Sequence, residues 1–493
     1  MELKVKILKW STGIPVAMLN EDTANLIGVK TSGRILIRTI SNNPRSVSTI
    51  IDTTTTLVKK NEIAISSELK ERLALSPGQK VDVDLSPSPK SLLFIKKKMN
   101  KGVLSQAEVS EIIKDIVNNS LSEAEIALFI SSMYEEGMNL QETGYLINAI
   151  LNSGQRLNLK GKYIVDKHSI GGIPGNRTTP LVVSICAAGG LIMPKSSSRA
   201  ITTAAGTADV METVASVDFS MKELKSIIKK VGACLIWGGS LEIVPADEKI
   251  ITIEKMLNID PESQLLASIM SKKLALGAKY ILIDIPYGKT AKVSREKALN
   301  LKKKFEYLGK HFHKKMRVVL TRGDEPIGNG IGPVLEMIDI IKVLSCSEHR
   351  PIDLENKSVF LAGEIFEMTG KAKKGKGIEM AKQILSSGKA FEKFKQIIKA
   401  QKGNINKLKM AKFTKDIIMK KTGKIVDIDN KQINYLARLA GCPMDKSAGL
   451  YLYNHIGDKL EKGDKLITIY SESMPRLKEA INFFENQKPI KVK

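Results

Sequence analysis

The chain has 493 residues, of which 43% are hydrophobic, 26% charged and 5% aromatic, so it is neither a disordered chain nor one ordinary core, and two to four domains with mainly aliphatic interiors are expected. Lys plus Arg outnumber Asp plus Glu by 77 to 52, a formal charge of +25. Such a balance favours anionic partners (nucleic acid, membrane surfaces or phosphorylated small molecules) without choosing among them, and lysine runs such as 302–304 and 371–376 read as solvated helix faces or loops.

Residues 1–95 read as a β-rich N-terminal module. The apolar run Ile35-Leu36-Ile37 follows Gly33, residues 61–66 continue the pattern, and Val81-Asp82-Val83-Asp84-Leu85 alternates with period two before Ser86-Pro87-Ser88-Pro89 breaks it. The period then changes. Ser105 with Glu108, Ser122 with Glu125 and Asn139 with Glu142 are helix-start pairs, and they predict three short helices between about 104 and 154, a helical domain over 96–165. From Tyr163 the texture is α/β. Residues 163–165 read as a buried strand, 181–188 as an apolar helix ended by Gly189-Gly190, and 191–193, 280–285 and 316–320 as further strands. Strands alternating with helices predict a large mixed-sheet α/β domain over 166–350, with its ligand site at strand ends. A C-terminal α+β domain is expected over 351–493, helices first and then a β-rich region from Gly449 to Tyr470. The expected class is therefore α/β multidomain: a helical domain plus a large mixed-sheet α/β domain, with β-rich regions at both ends.

Cys186, Cys234, Cys346 and Cys442 are scattered, with no CxxC pair, which fits a reducing, cytoplasmic setting rather than a zinc knuckle or a disulfide framework. The start Met1-Glu2-Leu3-Lys4 carries no long apolar stretch, so no signal peptide is expected, and no run of about 18 apolar residues predicts a membrane span. His311-Phe312-His313 lies in a basic helical run and is not expected to hold a metal.

Two stretches are suited to anions. Lys167-His168-Ser169-Ile170-Gly171-Gly172 leaves a strand and approaches a helix. Its backbone N–H groups and glycines permit close approach, Lys167 adds charge and Ser169 a hydroxyl. Lys195-Ser196-Ser197-Ser198-Arg199, continuing to Ala205-Gly206-Thr207, repeats the arrangement with an Arg suited to bidentate phosphate binding. Taken singly, each also fits an ordinary strand–helix turn, the first with a solvent-facing Lys and the second with serine capping.

Asp166-Lys167-His168-Ser169-Ile170-Gly171-Gly172 resembles the signature loop of the thymidine and pyrimidine-nucleoside phosphorylase family. Ser198-Arg199 with Gly206-Thr207 resembles that family's next loop, and Ser268-Ile269-Met270-Ser271-Lys272-Lys273 its third motif, in the same order, over roughly 97–493. The resemblance implies phosphate attack at the ribose anomeric carbon in a cleft between a helical and an α/β domain, the helical one also receiving about 245–275. It implies Asp260 as general acid on the departing base; Lys167, Ser169 and Thr207 on the attacking phosphate; and Gly172, Ser198, Arg199, Ala200, Ile201, Thr202, Thr203, Thr207, Ser268 and Lys292 around the nucleotide, with Lys272 a further candidate. An acid role for Asp260 needs burial or a neighbouring anion, since an ordinary Asp is ionised at neutral pH. Asp260-Pro261-Glu262 also reads as a helix cap followed by Pro. The pyrimidine enzymes carry a base-reading Arg where an ungapped count places Ile253-Glu254-Lys255 here. That departure, the extra N-terminal module and the 195–199 loop are similar to the AMP phosphorylase branch, which converts AMP and phosphate to adenine and ribose 1,5-bisphosphate. The resemblance implies AMP and inorganic phosphate as ligands, phosphate being a co-substrate, with no cofactor, metal, nucleic acid or membrane, and a homodimer or larger homo-oligomer. The alternatives are a pyrimidine nucleoside phosphorylase and a basic nucleic-acid-binding protein, the latter without any helix-turn-helix, zinc-finger or aromatic RNA motif.

Overall fold

A computed structural model describes residues 1–8, 15–200, 203–241 and 243–493. The N-terminal alternation closes on itself. Strands Glu2–Ile7, Glu62–Ile65, Ala17–Asn20, Ser46–Thr54, Arg34–Thr39 and Lys80–Leu85 form a closed barrel in that spatial order. Their inward residues, among them Leu3, Leu19, Ile35, Ile37, Ile63, Val81 and Val83, are buried together, and closure leaves no free strand edge. The sequence reading found three of these strands and passed over Glu2–Ile7, Ala17–Asn20 and Ser46–Thr54. The last of these has only two fully buried positions and so lacks a clean alternation.

The barrel ends at Leu85, earlier than the expected 95, because Ser91–Met99 is a helix packed on Gln106–Asn118 and Glu123–Glu135. Those two helices and Leu140–Asn152 each begin with a complete capping box at the expected Ser105, Ser122 and Asn139. A buried ion pair, Lys98 to Glu142 at 3.0 Å, ties the Ser91–Met99 helix to Leu140–Asn152, and Glu142 also accepts the Leu104 N–H at 2.9 Å. Helix Pro245–Leu257 returns to pack on this group. Barrel and helices form one compact unit, Met1–Gly154 with Val244–Ser268.

The second unit is Gln155–Ile243 with Ile269–Lys493. Its centre is a parallel sheet in the order Lys315–Arg322, Tyr280–Tyr287, Val165–Ser169. A bridge from Ile164 to Ile192 leads to the parallel pair Met193–Ser197 and Ala233–Trp237. Tyr280–Tyr287 is central and almost wholly buried, hence its nearly unbroken apolar sequence. The C-terminal region adds antiparallel strands, including Gly449–Leu452 and Lys465–Ser471, and helices Asn430–Ala440 and Met474–Gln487 around their own aliphatic core. No helix among the described residues is long and apolar enough to cross a membrane.

Candidate active site

The chain takes the first anion-type stretch as strand rather than loop. Val165–Ser169 is extended through Lys167 and His168, and Ser169 registers with Asp284 on the neighbouring strand. Period two then puts Lys167, Ser169 and Asp284 on one face, Asp166 and His168 on the other. On the first face Asp284 is a hub. Ser169 Oγ donates to its Oδ2 at 2.7 Å, Thr321 Oγ1 to its Oδ1 at 2.6 Å, and Lys357 Nζ lies 3.3 Å from Oδ2. Lys167 is 1% exposed, and its Nζ donates to Thr178 Oγ1 at 2.6 Å and Thr179 Oγ1 at 3.4 Å. Burial pulls its pKa down to about 7; Asp284 opposes this, and Lys357, Lys195 and Arg177 add to it.

On the opposite face the fully buried Asp166 lies 3.1 Å from Lys273 Nζ and 3.6 Å from Lys195 Nζ. Burial brings Lys273 to about 7 despite Asp166. His168 is held well below its ordinary value by burial and then by Lys273, Lys195, Lys167 and Lys272, so it is neutral at pH 7. Ser196 is buried, and its Oγ has no hydrogen-bond partner among the described residues.

The second stretch also differs from expectation. Lys195, Ser196 and Ser197 complete the strand Met193–Ser197, so the loop begins only at Ser198. The Ala200 and Gly206 N–H groups both donate to Asp209 Oδ2, at 2.7 and 2.8 Å, while Lys446 pairs with Asp209 Oδ1 at 3.0 Å. Thr203 Oγ1 donates to the Ala205 carbonyl at 3.1 Å. Ile201 and Thr202 lie outside the described residues. Thr207, buried at the start of the short helix Thr207–Met211, receives Arg177 Nη1 at 3.3 Å, and Arg177 also holds the Ala205 carbonyl at 2.6 Å and pairs with Glu336. Ser198 and Arg199 are exposed. The Arg199 guanidinium pairs with Glu212, lies 3.8 Å from Asp218 and sits 4.1 Å from the Trp237 ring centroid.

Gly172 has φ +108°, and a Cβ there would lie 3.0 Å from Lys292 Cβ and 3.1 Å from Lys292 N. This close approach brings the Gly172 and Lys292 segments together and admits only glycine comfortably. Lys292 itself is exposed. A cavity of about 570 Å³ at the end of the sheet touches the Asp284 hub through Thr321 and Lys357.

In the first unit, Ser268 Oγ donates to Asp247 Oδ2 at 2.9 Å, and Gln264 Nε2 donates to Oδ1 at 2.9 Å. Asp247 is fully buried. Asp260 is exposed, two residues before helix Glu262–Ala275, which therefore begins one residue later than the Asp260-Pro261 cap reading expects. Lys272, half-buried, follows Ser268 by one turn on that helix. Sequence reasoning missed Arg177, Thr178, Thr179, Asp209, Asp247, Asp284 and Lys357. For Asp284 there was a signal, a lone carboxylate inside Ile281-Leu282-Ile283-Asp284-Ile285. The polar run Arg177-Thr178-Thr179 before an apolar helix was another.

Three family models match the chain: the helical bundle domain of a glycosyl transferase family over residues 93–154, the α/β domain of that family over 161–391, and the pyrimidine nucleoside phosphorylase C-terminal domain over 424–491. Curated relatives include the AMP phosphorylases of Pyrococcus horikoshii, 44% identical over all of this chain and 98% of that protein, and of Thermococcus kodakarensis, 41% identical with the same coverage. The AMP phosphorylase of Methanococcus aeolicus is 40% identical over 99% of this chain and 97% of its own. Among solved structures, anthranilate phosphoribosyltransferase from Thermus thermophilus shares the fold with a TM-score of 0.53 at 18% identity, covering 62% of this chain and 99% of that one. With likeness running the full length and spanning the barrel, helical, α/β and C-terminal regions alike, the chain belongs to the AMP phosphorylase family.

Proposed function

We propose that the protein is a pentosyltransferase that cleaves AMP with inorganic phosphate to adenine and ribose 1,5-bisphosphate. The observation that carries this reading is the paired arrangement in the second unit. A buried Lys167 and a half-buried Ser169 stand at one strand end, and a second loop carrying Arg199 and leading to Thr207 at a helix start follows the next strand. That suits two phosphate groups, one attacking and one on the nucleotide. Lys167, Ser169 and Thr207 take the attacking phosphate. Gly172, Ser198 through Thr203, Thr207, Ser268 and Lys292 line the nucleotide site, with Lys272 beside them in the third motif. Arg199 exchanges its carboxylate partners for the dianionic 5′-phosphate. Asp260 protonates the departing base, a role that requires bound nucleotide to cover its exposed carboxyl. No cofactor or metal takes part, and the working form is a cytoplasmic homo-oligomer.

The test is base release from AMP with and without phosphate, by wild type and Asp260→Asn. Adenine and ribose 1,5-bisphosphate are expected only with phosphate; equal release without it means hydrolysis and ends this reading. Asp260→Asn is expected to lower turnover by roughly 100- to 10,000-fold, and a loss below about threefold moves the acid elsewhere.

A further inference from the structure

The C-terminal region holds a feature that none of the sequence motifs contains. Helix Asn430–Ala440 turns Ile433, Leu436, Ala437 and Ala440 into the C-terminal core. Asn430 and Asn434, one turn apart and 0% and 6% exposed, face elsewhere. Asn434 Oδ1 accepts the Ala204 N–H at 3.0 Å, and its Nδ2 donates to the Gly172 carbonyl at 3.3 Å. The Asn430 N–H and Nδ2 both donate to Thr290 Oγ1, at 3.2 and 3.0 Å, and Nδ2 also to the Gly323 carbonyl at 3.0 Å. Ala204, 1% exposed, is itself packed into the C-terminal core. Thr290 stands two residues before Lys292, whose backbone touches Gly172.

Four separate segments, at Gly172, Ala204, Thr290 and Gly323, thus converge on one helix far along the chain. The first three flank positions given above to the nucleotide, and none of these bonds is made to Lys167, Ser169 or Thr207. We propose that Asn434 and Asn430 are positioning residues that set the spacing of the nucleotide-side loops, so that the C-terminal helix serves as a template for AMP rather than for the attacking phosphate. The inference rests on the proposed assignment of those loops to AMP. Asn is suited to this task because one planar amide both donates and accepts, fixing two backbones at once.

The test uses the full chain with Asn434→Asp and Asn434→Leu. Asp keeps the shape and the acceptor for Ala204 N–H but sets a carboxylate against the Gly172 carbonyl; Leu removes both bonds. Two bonds of ordinary strength predict a rise of about tenfold in the KM for AMP, with the phosphate KM within about twofold and a lower melting temperature, because buried backbone groups lose their partner. By hydrogen exchange, residues 203–205 should lose protection in Asn434→Leu and keep it in Asn434→Asp, while 165–169 stay as in wild type. The proposal is overturned if both KM values move together, if neither moves, or if exchange at 203–205 is the same in all three proteins. If the wild type does not phosphorolyse AMP, the proposed function has failed separately. The exchange comparison and equilibrium binding of AMP then decide, and unaltered exchange or AMP affinity in Asn434→Leu overturns the template.

Discussion

Lys167 combines burial, two threonine hydroxyls and a pKa of about 7, which makes its charge conditional. The ammonium form binds phosphate, and a bound dianion favours that form. Because the folded value lies below the ordinary 10.5, the charge is lost as pH rises through about 7, and phosphate affinity falls from there upward. The same depression works against folding below about 7 and fades towards 10.5. The phosphate KM is therefore expected to climb by up to about tenfold per pH unit on the alkaline side. Lys167→Arg, which stays charged, should bind less well yet flatten that climb. Phosphate KM measured across neutral to alkaline pH in both proteins decides the point; parallel slopes assign the titration to another group. Lys167, Ser169 and Gly172 could be singled out as candidates because a basic residue, a hydroxyl and two glycines stand within six positions of one another. Their hub Asp284 was not assigned, since its partners Ser169, Thr321 and Lys357 come from distant parts of the chain.

Strand ends, by contrast, were misplaced in the same stretch. Residues 167–169 and 195–197 are polar, and polarity suggests a loop, yet both are strand: Lys167 and Ser169 find partners in Thr178 and Asp284 on one face of the sheet, and Asp166 pairs with Lys195 and Lys273 on the other. Removing that carboxylate leaves buried cations facing each other. Asp166→Asn is expected to cost about 3–5 kcal/mol at neutral or lower pH. The cost should shrink as pH rises above about 7, where Lys273 sheds its proton. Denaturant unfolding at two pH values checks this, and a loss under about 1 kcal/mol, or one that grows with pH, contradicts it. Capping boxes were legible for the opposite reason: Ser105 with Glu108, and its two counterparts, act within one turn of their own helix.

At the level of the molecule, the barrel buries its own core, and among the described residues polar contacts join it to the helices of its unit. Arg34 donates to the Ser120 carbonyl at 2.8 Å and pairs with Glu125, and Arg72 donates to the Asn118 carbonyl at 3.0 Å. Deleting residues 1–85 removes these, and with them the Arg34 partner of the helix-start Glu125, without touching the 165–207 loops. Turnover per subunit is expected to persist while the number of subunits in the assembly falls. Light scattering beside an activity assay tests this; an unchanged subunit number counts against an assembly role for the barrel.

The local code of the chain determined the three capped helices and the family, because each depends on residues within a few positions or on motifs in linear order. Closure of the barrel and the meeting of Gly172, Ala204 and Thr290 on Asn430 and Asn434 were decided only by tertiary packing. So was the engagement of Arg199 with Glu212, Asp218 and Trp237. The physical reason is the range of the interactions. A cap or a turn is set by neighbours along the chain. A buried amide's partners are chosen by which distant backbone groups the hydrophobic core leaves within about 3 Å of it.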